Sequence, residues 1–163
     1  MSIHPGYAEA ILSGRKRAEF RKRPLAEDVR TVLIYATAPV SAIVGWFTVR
    51  GTLKAAPEDI WRQLHSVGEI CWHDFTNYYS GRSLGVALLV GEVRRLTRPV
   101  PLSGVDPSPV TPQSFNYISD NILTQVLAVS ENDGNVRFTP PAALSGSITR
   151  TINSEPLQIY GPN

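Results

Sequence analysis

The sequence predicts an α+β domain in which a small mixed β-sheet, curled or partly closed into a barrel, carries helices on its flanks. Three observations lead there. The elements run helix, strand, strand, strand, two helices, long strand, without the regular alternation of a parallel α/β sheet. The segment Thr31–Thr37, TVLIYAT, is β-branched, aromatic and apolar on both faces, as a central strand is. Two further strand candidates carry an internal glycine, Gly45 and Gly91, where a strand bends or another backbone comes close.

In chain order, His4–Ser13 reads as a short helix. Pro5 suits its first turn, Tyr7, Ala8, Ile11 and Leu12 form its apolar stripe, and Gly14 stops it. Arg17–Arg21 alternates as a half-buried strand, with Ala18 and Phe20 on one face and Arg17, Glu19 and Arg21 on the other; Pro24 ends it. After Thr31–Thr37 and a turn at Pro39, Ala42–Val49 is the next strand. Pro57, Glu58 and Asp59 open a helix that ends at Gly68, and Glu69–Ser80 reads as another, with Ile70, Phe75 and one of Tyr78 and Tyr79 facing inward. Leu84–Leu96 is the longest strand candidate, and the five prolines between Pro99 and Pro112 make a loop. A last helix begins near Ser119 or Asp120 and carries Ile122, Leu123, Val126 and Leu127. The chain divides into a domain over 1–130 and a polar, turn-rich peripheral extension over 131–163.

Composition narrows the function. The net charge of +2 is too small for a general polyanion binder, so any basic effect is local. One cysteine excludes an intrachain disulfide and argues against a cysteine-based zinc site, and His4, His65 and His73 lack helical metal-ligand spacing. Neither a bound metal nor a cofactor is expected, and no glycine-rich phosphate signature is present. With no signal-peptide pattern and no apolar run of membrane-spanning length, a cytoplasmic setting is the default. Trp46, Trp61 and Trp72 read as packing residues, and Cys71 as a small buried hydrophobe.

Against that background, SGRKRAEFRKR, Ser13 to Arg23, places six Lys and Arg in eleven residues. Within it Gly14, Lys16, Glu19 and Arg21 spell G-x-K-x-x-E-x-R directly after the first helix. With the YATAP turn, and with Pro101, Leu102 and TPQSF at Thr111–Phe115, this resembles the ASCH family over residues 2–118, and within it the PUA-like transcriptional-regulator branch. The resemblance implies a PUA-like pseudo-barrel with a cleft beside the first helix, floored by the motif's charged residues. It implies RNA or a modified nucleoside or nucleotide as partner. A few members of the family are hydrolases, one group deacylating N4-acetylcytidine and another acting as ribonuclease.

In such a cleft Lys16 would meet a phosphate or polarise a carbonyl, and Glu19 would accept from a base amine or orient Lys16. Arg21 would pair with Glu19 or reach a phosphate, and Arg17 and Arg23 would extend the basic row. Tyr35 and Thr37, at the end of the central strand, would stack on or hydrogen-bond a base. A regular strand points Lys16 away from Glu19, so a shared cleft requires Lys16 to lie in the turn before the strand. The first reading is therefore a nucleic-acid or nucleotide reader. The second is a hydrolase using Lys16 and Glu19, with Glu69 as a further carboxylate; the deacylating branch has threonine where Glu19 stands, which counts against that reaction. The third is a protein-interaction domain in which the basic row meets an acidic partner. In the plainest reading the row is a charge-blunted edge strand, with Glu19 and Arg21 a surface ion pair.

Overall fold

The computed structural model describes residues 1–131. It is built on one five-stranded mixed sheet, ordered β1-β3-β4-β5-β2, with strands β1 (Ser2–Ile3), β2 (Ala18–Arg21), β3 (Thr31–Ala36), β4 (Ala42–Ala55) and β5 (Gly85–Val100). β1 runs parallel to β3, and the other pairings are antiparallel. The α+β class holds, but the barrel does not close. β1 and β2 remain edges, and the Arg21 guanidinium reaches across from β2 to the Ser2 carbonyl of β1 at 2.9 Å. A side chain spans the gap where a backbone ladder would have to run.

The predicted glycine positions are where the sheet deforms. The β4–β5 register shifts between Ile43 and Gly45, and a Cβ at Gly45 would lie 2.5 Å from the Arg94 carbonyl of β5 and collide with a Leu12 methyl. At Gly91 a Cβ would meet the Thr48 hydroxyl at 2.6 Å. These close approaches require the missing side chain.

Helix α1 (Pro5–Leu12) covers one face of the sheet, where Ile11, Ile34, Phe47 and Leu88 are fully buried. The opposite face, with Leu33, Tyr35, Trp46 and Val100, packs against α4 (Asp120–Glu131). A third cluster joins Ala18 and Phe20 of β2 to Ile60 of α2 (Pro57–Leu64) and to Phe75 and Tyr79 of α3 (Trp72–Tyr79). Among the described residues no helix is long and apolar enough to cross a membrane.

Several local expectations change. β1 was missed because two residues carry no periodicity. β4 continues to Ala55 and β5 into the proline region as far as Val100. The second inner helix begins at Trp72, not Glu69: Glu69 has φ 49°, and the Cys71 sulfur accepts from the Asp74 amide as an N-cap. Cys71 is exposed, not a buried hydrophobe, and Trp72, though it packs on Trp61 and Phe75, is 49% exposed and no core residue. Trp46 is buried as expected. The predicted extension over 131–163 lies outside the described residues apart from its first residue, which closes α4.

Candidate functional site

Lys16, Glu19 and Arg21 converge, and all three are buried. Lys16 lies in the turn before β2, as a shared cleft requires, with its amide bonded to the Ala10 carbonyl at the end of α1. Its side chain is 2% exposed, and its ammonium is enclosed by its partners. It donates to the Gly68 carbonyl and lies 3.6 Å from Glu19 Oε2. The Tyr7 and Phe20 rings flank it, with centroids at 4.9 and 4.8 Å. Glu19 Oε1 accepts from Arg21 Nη2 at 2.7 Å. One carboxylate therefore serves two basic side chains, and with both protonated the buried cluster carries a net positive charge. Arg21 Nε is buried with no hydrogen-bond partner among the described residues.

The half-buried strand pattern is thus half right. Ala18 and Phe20 are buried as expected, under α2 and α3, but the polar face is buried too. Glu19 stands opposite Leu88 and Arg21 opposite Val86, on the α1 face, so the pair is no surface ion pair. Burial pushes the Lys16 ammonium down from its ordinary range; Glu19 partly restores it and Arg21 lowers it again. Tyr7 and Tyr78 stand around the cluster, each phenol raised mainly by burial, with Glu19 and, for Tyr7, Asp74 and Cys71 adding to the rise. Tyr79 turns inward. Its hydroxyl lies 2.8 Å from the Val86 carbonyl and 3.1 Å from that of Arg21, locking β2 to β5 beneath the cluster.

The other candidates lie elsewhere. Arg17 is exposed, and its backbone bridges the Val67 carbonyl and the Val90 amide. Arg23 is exposed and rests over the Phe115 ring at 5.8 Å. Glu69 pairs with Arg15 at the surface at 2.8 Å. Tyr35 belongs to the opposite face of the sheet, where it lines a cavity of about 630 Å³ between β3, the 109–119 segment and the start of α4. Thr37 sits in the turn after β3, its amide on the Ile3 carbonyl. The sequence reading missed Tyr7, which its helix periodicity marks only as apolar. Among the described residues no group of three or more His, Cys, Asp or Glu could hold a metal.

The family model of the ASCH domain matches residues 1–100. The chain belongs to the ASCH family. Over 103 residues it is 28% identical to an ASCH domain-containing ribonuclease of Zymomonas mobilis, covering 63% of this chain and 69% of that protein. A crystal structure of ASCH from Zymomonas mobilis superposes with a TM-score of 0.74 at 24% identity, over 79% of this chain and 92% of that one, a likeness of fold. The large ribosomal subunit protein uL22 of Ureaplasma parvum is 26% identical over 119 residues, 72% of this chain but 38% of that protein. The ASCH match spans every strand and helix that builds the cluster, from β1 to β5.

Proposed function

We propose that this ASCH domain binds RNA or a modified nucleotide, with a phosphate or polar base edge meeting the Lys16–Glu19–Arg21 cluster beside α1 and α3. The observation that carries this is the buried positive excess. Two cations share one carboxylate, and Arg21 Nε has no partner among the described residues. A buried charge without a counterion is costly, and an anion approaching the guanidinium edge relieves that cost while gaining a charge-assisted hydrogen bond. The side chains of Glu19 and Arg21 are only 8% exposed, which suits contact by an oxygen or a base edge better than engulfment of a whole acylated nucleoside. The exposed Arg17 and Arg23 add sequence-independent attraction for a backbone.

The test is Lys16→Met, which removes the ammonium but keeps the chain length and leaves Glu19 paired with Arg21. In fluorescence anisotropy with a short labelled RNA, affinity falls. The slope of log affinity against log salt becomes shallower by about 0.7 to 1. A folded Lys16→Met protein with wild-type affinity and slope refutes the assignment of the site.

A second reading, cleavage of RNA, is favoured by the named activity of the Zymomonas mobilis relative. In it the lowered Lys16 amine takes the proton of a 2′-hydroxyl as that oxygen attacks the adjacent phosphorus. Arg21 offsets the charge of the five-coordinate phosphorus, and the 5′-oxygen leaves as it takes back the proton that Lys16 has accepted. The products would be a 2′,3′-cyclic phosphate and a 5′-hydroxyl end. Their formation by the wild type and loss in Lys16→Met would establish the reading, and intact RNA would end it.

A further inference from the structure

We infer that Trp72, backed by Trp61, is a stacking platform for an unpaired base, which makes single-stranded RNA the substrate class; this rests on the RNA-binding reading above. Trp72 is the first residue of α3 and the most exposed of the three tryptophans, at 49% against 4% for Trp46, with Trp61 half-buried. Its ring does not hang free. It lies edge-on to Trp61 with centroids 5.0 Å apart, and nearly parallel to Phe75 at 6.2 Å and 18°. Trp61 in turn stacks on His65 at 5.4 Å, and His65 Nδ1 is held 2.9 Å from the Trp61 carbonyl oxygen. An exposed indole fixed in orientation by packed neighbours offers a flat apolar face at small entropic cost, which is what a base stacks on.

Packed rings connect the platform to the cluster through the core. From the Lys16 ammonium, Phe20, Phe75, Trp61 and Trp72 follow one another with ring-to-ring centroid distances of 5.1, 5.0 and 5.0 Å. Residues on either side of Trp72, Cys71 and Asp74, lie near Tyr7 at the cluster. Arg17, exposed and without an ion pair among the described residues, has its backbone bonded to Val67 in the turn between α2 and α3. A cationic side chain anchored at the turn between α2 and α3 and an aromatic face at the start of α3 fit a chain of phosphates and bases. In a duplex the base faces are occupied by their neighbours, so only an unpaired base can use this one.

Anisotropy titrations with a labelled 10-nucleotide RNA, single-stranded and as a duplex, test this with Trp72→Leu and Trp72→Phe. Leucine keeps apolar bulk without a π-face. Trp72→Leu weakens single-strand binding by about 10- to 100-fold with an unchanged salt slope, leaves duplex binding as it was, and Trp72→Phe recovers most of the loss. Equal single-strand affinity of wild type and Trp72→Leu overturns the platform alone, as does an equal loss on both RNAs. A wild type that binds no RNA overturns the RNA reading and the platform with it. Should Trp72→Leu not fold, the wild-type protein carries the test: saturating single strand quenches the exposed indole and shields it from iodide, and unchanged emission and iodide access overturn the inference.

Discussion

Replacing Glu19 by Gln tests the charge arrangement on which the site depends. The amide has the shape of the carboxylate, so no cavity term enters. What is lost is the anion that sits 2.7 Å from Arg21 Nη2 and 3.6 Å from Lys16 Nζ in a place water barely reaches. Breaking a buried ion pair from one side costs about 3–5 kcal/mol, because the partner is left charged and unpaired. The two cations respond differently. Lys16, already lowered by burial, loses the carboxylate that partly restores it and is lowered further; Arg21 has no such latitude and carries most of the cost. Set against a total stability of roughly 5–15 kcal/mol, that is about a fifth of the margin or more, and it lowers the melting temperature by about 10 °C. Urea unfolding at pH 7 measures it as a shifted midpoint at constant m-value. Lys16→Met removes one of the two stranded cations, so the double variant loses less than the sum of the singles, with a coupling of about 0.5–3 kcal/mol. A Glu19→Gln cost under about 1 kcal/mol, with additive singles, would mean that the cluster is hydrated and its charges independent.

Three further outcomes follow from the same packing. Phe20→Ala loses a buried ring edge-packed on Phe75 at 5.1 Å and costs about 3–5 kcal/mol in chemical denaturation; a near-neutral result would put Phe20 on the wrong face of β2. Gly45→Ala drives a methyl into the Arg94 carbonyl of the paired strand, which cannot step aside, and costs about 2–3 kcal/mol or prevents folding; wild-type stability would mean that β4 and β5 do not meet as described. The pH dependence of stability separates Lys16 from the tyrosines. Its folded pKa is below the unfolded value of 10.5, so the unfolded chain binds more protons between the two, and stability rises with pH across that window. The raised phenols of Tyr78 and Tyr79 act oppositely, contributing stability below pH 10 that is lost above it. The wild-type curve minus that of Lys16→Met therefore climbs toward pH 10.5, and a flat difference would show Lys16 to be solvated.

Much of this was legible beforehand, and the gaps share a cause. The central strand, the two glycines at close approaches and the inward Phe20 are local statements, set by side-chain period or by the space a Cβ needs, and they hold. Barrel closure is not local: it depends on whether a two-residue N-terminal strand meets β2, and no pattern in two residues encodes that. The burial of Glu19 and Arg21 was hidden for a related reason. A charged residue in an alternating strand reads as solvent-facing until the helix and the edge strand that cover it are placed. Trp72 fails in the opposite direction, since an aromatic residue next to a helix start reads as core, whereas the chain turns at Glu69 and brings it out.

Arg21 is where fold and proposed function meet. Its Nη2 donates both to Glu19 and to the Ser2 carbonyl, so it clasps the two edge strands that a closed barrel would have joined by backbone hydrogen bonds. A purely structural clasp would use every donor, yet Nε has no partner among the described residues. An oxyanion that supplies this partner would tighten the strand junction as it binds. Ligand binding and stability would then be linked through one side chain, and saturating RNA should raise the melting temperature as mass action requires, by about 2.7 kcal/mol of stability at a hundredfold excess over Kd. The salt series separates this from binding at a remote basic patch. Contact at the clasp slows hydrogen exchange of the Tyr35 amide, bonded to the Met1 carbonyl beside β1, and of the Ser2 amide, bonded to the Ser114 carbonyl, whereas attraction by Arg17 and Arg23 alone raises stability without protecting those amides.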